Sequence, residues 1–426
     1  MNQVCAACPG DRAVSPSAWR VIVSASIGNA LEWFDLVVYG FFALTISRVF
    51  FPAGSPTVSL LLTLGTFGVS FFMRPLGAVV LGVYADKAGR KAALTLSILL
   101  MMAGTLMIAV MPTYASIGLF APLGIVLAKM IQGFSAGGEF GSATAFLAEY
   151  TPSRRGFFTS WQAASQGLTT LLAAGFGTVL NTALSDVQMQ SWGWRIPFLF
   201  GLVIGPVAYY IRTHIDETPE FSSTVRDERP LASTLANQKR HLLLAMGAVV
   251  LGTVAPYLIL FMPTYAVKQL GIPSSSAFSA IIVSGVVQMI GAPIAGHWSD
   301  RHGRTGIMLV AAVLFLVLAW PAFACLVASP TFGAMIGFQL FVGILTTAYF
   351  GALPALLSDL FPTQVRTTGM SIAYNMSVTV FGGFAPFIIT GLMSASGSAL
   401  APGFYLMAAA VVSIIALLRV RAIGLR

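Results

Sequence analysis

Apolar stretches of about 20 residues or more recur along the whole chain, each long enough to cross a ~30 Å hydrocarbon layer as a helix. Inside such a layer every backbone N–H and C=O needs an internal partner, so only helices and closed barrels span it. Barrel strands would be ~10 residues long with alternating polarity. These runs are continuous, which points to an all-α membrane protein. Composition agrees: of 426 residues, 57% are hydrophobic and 9% charged, against about a quarter charged in soluble domains.

Twelve spans are expected, at 19–45, 57–84, 91–112, 117–148, 157–181, 196–212, 242–266, 277–298, 306–328, 332–357, 367–393 and 402–419. The longest polar interruption follows span six. It divides the chain into a tail (1–18), a six-helix bundle (19–212), a linker (213–241) and a second six-helix bundle with a short tail (242–426). Residues 1–17 lack the basic, apolar and small-residue order of a signal peptide, and the first apolar run is too long for a signal core. Insertion into a cell (inner) membrane without cleavage is expected.

Charge placement predicts the orientation. Loops 2–3, 4–5, 6–7, 8–9 and 10–11 and both tails hold eighteen Lys and Arg residues, whereas the opposite loops hold Arg48, Arg195 and Lys268. By the positive-inside rule those loops and both termini are cytoplasmic. The same placement accounts for the net charge of +9 without a nucleic-acid partner. Cys5 and Cys8 form a CxxC pair, yet the one other cysteine, Cys325, lies within a span. No metal site, cofactor or enzymatic nucleophile–base set is expected, and no Walker motif offers ATP as a driving force.

The two halves carry related motifs. Loop 2–3 reads "GVYADKAGRK", with Gly82, Asp86, Gly89 and Arg90; loop 8–9 reads "GHWSDRHGRT", with Gly296, Asp300, Gly303 and Arg304. All four matches lie at an offset of 214. At an offset of 210, Gly133 matches Gly343, Pro152 matches Pro362 and Glu149 pairs with Asp359. Glycines there permit tight turns, and the charged residues can hold helix ends together. Parallel six-helix repeats are a transporter architecture, with the site between the halves near the midplane.

The chain resembles the major facilitator superfamily over nearly its whole length, most specifically in the paired GxxxDxxGR loops. The segments "GNALEWFD", "FFMRPLGAVVLG", "QGFSAGGEFG", "WGWRIPFL" and "ETPEF" resemble the metabolite:proton symporter family. The resemblance implies proton-coupled uptake by alternating access, with the motif loops as cytoplasmic gates. "TSWQAASQ" and "SIAYNMSVTVFGGFAPFI" are similar to the citrate-type branch, whereas Lys129 matches the betaine-type branch. A di- or tricarboxylate such as citrate is the expected substrate. The alternatives are a zwitterion such as proline or betaine, and, in another class, a non-transporting receptor or sensor. The expected partners are an organic anion, a proton and the bilayer, with the protein a monomer.

Charges within spans are costly and are functional candidates by default. Five are present: Glu32, Asp35, Arg74, Lys129 and Glu139. Arg74 lies twelve residues before Asp86, or ~18 Å along a helix, which is near the midplane. All five are in the first half. Their repeat positions hold Met246, Val249, Gln288, Gln339 and Tyr349, so a charged site on the first half is expected, with neutral contacts from the second.

Two acids one turn apart repel, and burial disfavours their charged form; Glu32, Asp35 and Glu139 are therefore the proton-coupling candidates. Arg74 presents a planar fork for a carboxylate and Lys129 a point charge. The rival reading makes both bases structural partners of the acids. Asn29, Glu32, Asp35 and Tyr39 read as one polar stripe facing a central cavity. Gln162 and Gln166 on span five, Tyr257 on span seven and Tyr374 and Asn375 on span eleven are further substrate-binding candidates. For these, interhelical hydrogen bonding is the competing explanation.

Overall fold

A computed structural model of the chain describes residues 16–88, 90–150, 152–213, 230–362 and 365–425. Among them the regular structure is helical, without a strand. The rods in chain order are α1 (Pro16–Phe41), α2 (Pro56–Ala88), α3 (Arg90–Val110), α4 (Phe120–Ala148), α5 (Arg155–Ala183) and α6 (Arg195–Thr213). The second half holds α7 (Lys239–Leu270), α8 (Ser274–His302), α9 (Arg304–Ala328), α10 (Phe332–Leu360), α11 (Arg366–Ser396) and α12 (Ala401–Ala422). Nine of the described helices are long and apolar enough to cross a membrane, ten if the bent pair at α1 counts as one span. The remaining two expected spans fall on α3 and α6.

Helices overrun the expected spans because a helix continues through the interfacial layer beyond the hydrocarbon. Part of the expected linker is also helical, at Pro230–Asn237. Cys5 and Cys8, and residues 214–229 of that linker, lie outside the described residues.

Four rods, α1, α4, α5 (at Ser160) and α11, are interrupted near the interface between the halves. Span one does not run straight to residue 45: Ala25–Phe41 and Ala43–Phe50 meet at 68°. The bend follows Gly40, where an added Cβ would lie on the Leu260 side chain of α7. In α4 the helix breaks at Gly137 and restarts at Glu139. In α11 a π-helical segment, Val378–Gly383, separates two α-helical parts; such wide turns are frequent at functional sites.

Glycines set the closest helix crossings, as expected where van der Waals packing drives association in lipid. An added Cβ at Gly77 or Gly133 would strike the backbone carbonyl of Phe134 or Ser70, respectively, so α2 and α4 touch backbone to backbone. Between the halves, α5 and α8 do the same. A Cβ on Gly167 would lie 2.9 Å from Cβ of Gln288, and one on Gly285 would lie 2.8 Å from the Leu171 nitrogen.

Candidate functional site

The charged side chains of α1, α2 and α4 meet in the first half. Arg74 Nη2 donates to Glu32 Oε1 at 2.7 Å, and the guanidinium carbon lies 4.6 Å from the centre of the Phe71 ring. The close α2–α4 crossing at Gly77, Gly133 and Gly137 places Arg74 beside α4. Glu32 is thus an ion-pair partner, the structural arrangement that competed with a free proton carrier.

Asp35 lies on a different bearing. Its Oδ2 accepts from Thr105 Oγ1 of α3 and from Gln132 Nε2 of α4, the latter at 3.3 Å. Gln132 Oε1 in turn accepts from Lys129 Nζ at 2.9 Å, so Gln132 joins the base to the acid. The Lys129 ammonium also lies 4.2 Å from the Tyr39 ring centre, a cation–π distance. Asp35 Oδ1 has no hydrogen-bond partner within the protein. It faces Gly201 of α6, where a Cβ would come within 2.9 Å of it. Asp35, Arg74 and Lys129 are each 3% exposed or less, so these charges are held away from bulk water.

The single polar stripe expected on span one is therefore corrected. Asn29 Nδ2 donates to Gln162 O (3.1 Å) and Ser165 Oγ (2.7 Å) on α5. Glu32 turns to α2, Asp35 to α3 and α4, and the Tyr39 hydroxyl to Thr63 O of α2 (3.3 Å). The reason is helical rotation: residues six apart diverge by about 120° around the axis. Trp33 and Val37 are also buried.

The other candidates divide. Gln162 donates to Thr144 Oγ1 at 2.9 Å, an interhelical bond within the first half. Glu139 is buried at the first turn of the restarted α4 helix, where the free N–H groups favour a carboxylate. Tyr374 stacks on Phe140 with centroids 3.5 Å apart. Asn375 Nδ2 donates to Gly137 O across the halves at 2.9 Å, at the break in α4. Thr379 Oγ1 similarly donates to Phe71 O at 2.9 Å. The Tyr257 hydroxyl and both amide atoms of Gln166 are buried without a partner in the protein.

Where α8 meets α9, Asp300 bridges the halves. Its two oxygens accept from the backbone N–H groups of Gly156 (2.7 Å) and Phe157 (2.9 Å) at the start of α5. A carboxylate at a helix N-terminus is favourably placed. Arg304 pairs with Asp300 at 3.5 Å and with Asp359, which also pairs with Arg155 at 3.0 Å. Gly303 has φ 89°, the left-handed geometry that lets the chain turn into α9. Gly296 and Gly156 are close enough that a Cβ on either would meet the other's carbonyl. The side chains of the first motif copy, Gly82, Asp86, Gly89 and Arg90, lie outside the described residues.

Sequence reasoning missed Thr105 and the bridging role of Gln132. A threonine in an apolar run carries no signal of its own. Asp359 was visible only as the repeat partner of Glu149, and Gln288 only as the uncharged counterpart of Arg74.

Comparison with known proteins follows this geometry. Residues 21–242 match the family described as sugar (and other) transporters, and residues 280–423 match the Major Facilitator Superfamily. The chain is 38% identical over 399 residues to a citrate-proton symporter of Klebsiella pneumoniae, covering 93% of this chain and 90% of that protein. It is 35% identical over 411 residues to a proline/betaine transporter of Escherichia coli, covering 93% and 82%. The solved structure of a proton:xylose symporter superposes with a TM-score of 0.77 at 16% identity, covering 95% of both chains.

Proposed function

The chain belongs to the major facilitator superfamily, among its proton-coupled metabolite symporters, and from that premise we propose that it carries a small organic acid together with a proton. A di- or tricarboxylate, citrate first, is the substrate this reading favours. Import by alternating access across the inner membrane is the proposed direction, with the basic ends and both termini in the cytoplasm.

The observation that carries the reading is the division of labour between the two acids of α1. Glu32 already neutralises Arg74, a buried fork suited to a carboxylate. A substrate carboxylate reaches Arg74 by displacing Glu32. The five buried charges sum to −1, from three acids and two bases, so adding an anion alone deepens an uncompensated charge in a dry site. Protonation of one acid removes that obstacle. Asp35 is the acid assigned to the proton, because Oδ1 is the oxygen without a donor. Once protonated, Asp35 loses the negative charge that attracts Lys129 across Gln132, which frees the Lys129 charge for the incoming anion.

Alternating access needs an interface that opens at one end at a time. Asp300, Arg304, Asp359 and Arg155 are proposed to bolt the cytoplasmic end. Phe41 of α1 and Phe42 at the bend that follows it pack against Phe278 of α8 toward the other end, at 5.5 and 5.9 Å.

A second reading, a zwitterionic osmolyte, draws on the proline/betaine relatives and on Trp33 and Tyr257, whose rings lie 5.8 Å apart at the interface and offer faces to a quaternary ammonium. Thermal unfolding of the purified protein with citrate, glycine betaine or proline at two pH values separates the two. Ligand binding to the folded state raises the unfolding temperature. Stabilisation by citrate, stronger at the lower pH, supports the acid; stabilisation by betaine alone overturns it.

A further inference from the structure

The geometry points to a second, uncharged subsite between the halves, where α5 meets α8. We propose that Gln166 and Gln288 hold the far polar end, a second carboxylate or a hydroxyl, of an acid whose first carboxylate is held by Arg74. The inference rests on the carboxylate reading above and narrows it to acids with two separated polar ends.

Four observations carry it. First, a narrow cavity lies between the halves, lined by Trp33 and Phe41 of α1, Gln166 and Thr170 of α5, Pro256 of α7 and Gln288 of α8. Second, both amide atoms of Gln166 and the Nε2 of Gln288 are buried without a hydrogen-bond partner in the protein, the residues being 1% and 5% exposed. Buried amides are nearly always hydrogen-bonded, so unpartnered ones beside a cavity mark where a ligand group belongs. The close α5–α8 crossing at Gly167 and Gly285 brings the two glutamines together.

Third, Gln288 is the repeat counterpart of Arg74, at the offset of 214 that relates the paired motif loops. Each lies twelve residues before its motif aspartate, hence at the same depth. The two half-sites are thus symmetry-related: one kept a charge, the other an amide. Fourth, Tyr257 spans the distance between them. Its ring packs on Phe71, which lies under Arg74, at 5.5 Å, and on Trp33 of the cavity wall at 5.8 Å. Its buried hydroxyl is also unpartnered.

The chemistry favours an anionic or hydroxyl end over a cation. No acid lines the cavity, and amide N–H groups donate to oxygen. A neutral amide also binds an anion less tightly than a guanidinium, which leaves the second end easy to release.

The test measures competition with labelled citrate in proteoliposomes, using citrate and propionate, an acid with one polar end. In Gln288→Ala the citrate constant is expected to weaken about tenfold, the scale of a lost hydrogen bond to a charged group, with propionate unchanged. Gln288→Glu is expected to weaken citrate further by placing like charge against it. Gln166→Ala provides the same comparison should Gln288 variants fail to fold. Unchanged citrate binding in both alanine variants, or an equal loss for both acids, overturns the subsite. Equal affinity of the unaltered protein for citrate and propionate also overturns it while leaving the carboxylate reading intact. An unaltered protein that binds neither acid fails the carboxylate reading itself.

Discussion

Arg74 and Glu32 form a 2.7 Å ion pair that joins α2 to α1, with both side chains almost wholly buried. A buried base so paired is a structural tie, and in the proposed mechanism it is also the group for which a substrate anion competes.

The first prediction concerns that competition. Breaking a buried pair by removing one partner typically costs about 3–5 kcal/mol, because the other charge is left uncompensated. Glu32→Gln is therefore expected to lower the unfolding temperature of the empty protein. Citrate then restores the missing charge, so it should stabilise the variant more than the unaltered protein. Arg74→Ala should lose citrate stabilisation altogether. Equal citrate stabilisation of Glu32→Gln and the unaltered protein contradicts the displacement step.

The second concerns the space around Asp35. Gly201 leaves room for Oδ1, and a Cβ there would lie 2.9 Å away, a contact real Cβ atoms avoid. Gly201→Ala adds no charge and removes none. Its expected effect is a shift in the pH dependence of citrate uptake, together with the loss of about 1–3 kcal/mol of stability that overpacking by one methyl costs. An uptake profile identical to that of the unaltered protein would separate Asp35 from the proton step.

The third concerns the bolt at the basic end. Asp359 accepts from both Arg155 and Arg304, one from each half. Asp359→Asn takes the carboxylate from Arg155 and leaves Arg304 with Asp300, so the tie between the two bases is lost and the closed end should loosen. Ser160, fully buried beside Gly296, reports on it. In a background lacking the native cysteines, Ser160→Cys should react faster with a maleimide when Asp359→Asn is added. An unchanged labelling rate means the bolt does not hold that end.

The membrane class, the helical rods and the repeat were legible in the sequence because each rests on periodicity or on apolar length. The buried charges were legible too, since a charge in an apolar run is conspicuous. Their pairing was not. Glu32 and Asp35 look alike in sequence, yet helical rotation sends one to Arg74 and the other to Thr105 and Gln132. The bend after Phe41 was also hidden: no proline marks it, and Gly40 there packs on Leu260 of the opposite half. Gln288 was legible as one of the neutral contacts expected from the second half; its burial without a partner, which supports the proposed subsite, was not.

The central claim is that Asp35 carries the proton and Glu32 does not. It is tested most directly by Asp35→Asn in proteoliposomes, with labelled citrate and an imposed pH gradient. The variant should lose gradient-driven accumulation while still exchanging internal for external citrate, because binding at Arg74 is intact. Full accumulation driven by the pH gradient in Asp35→Asn would contradict the account.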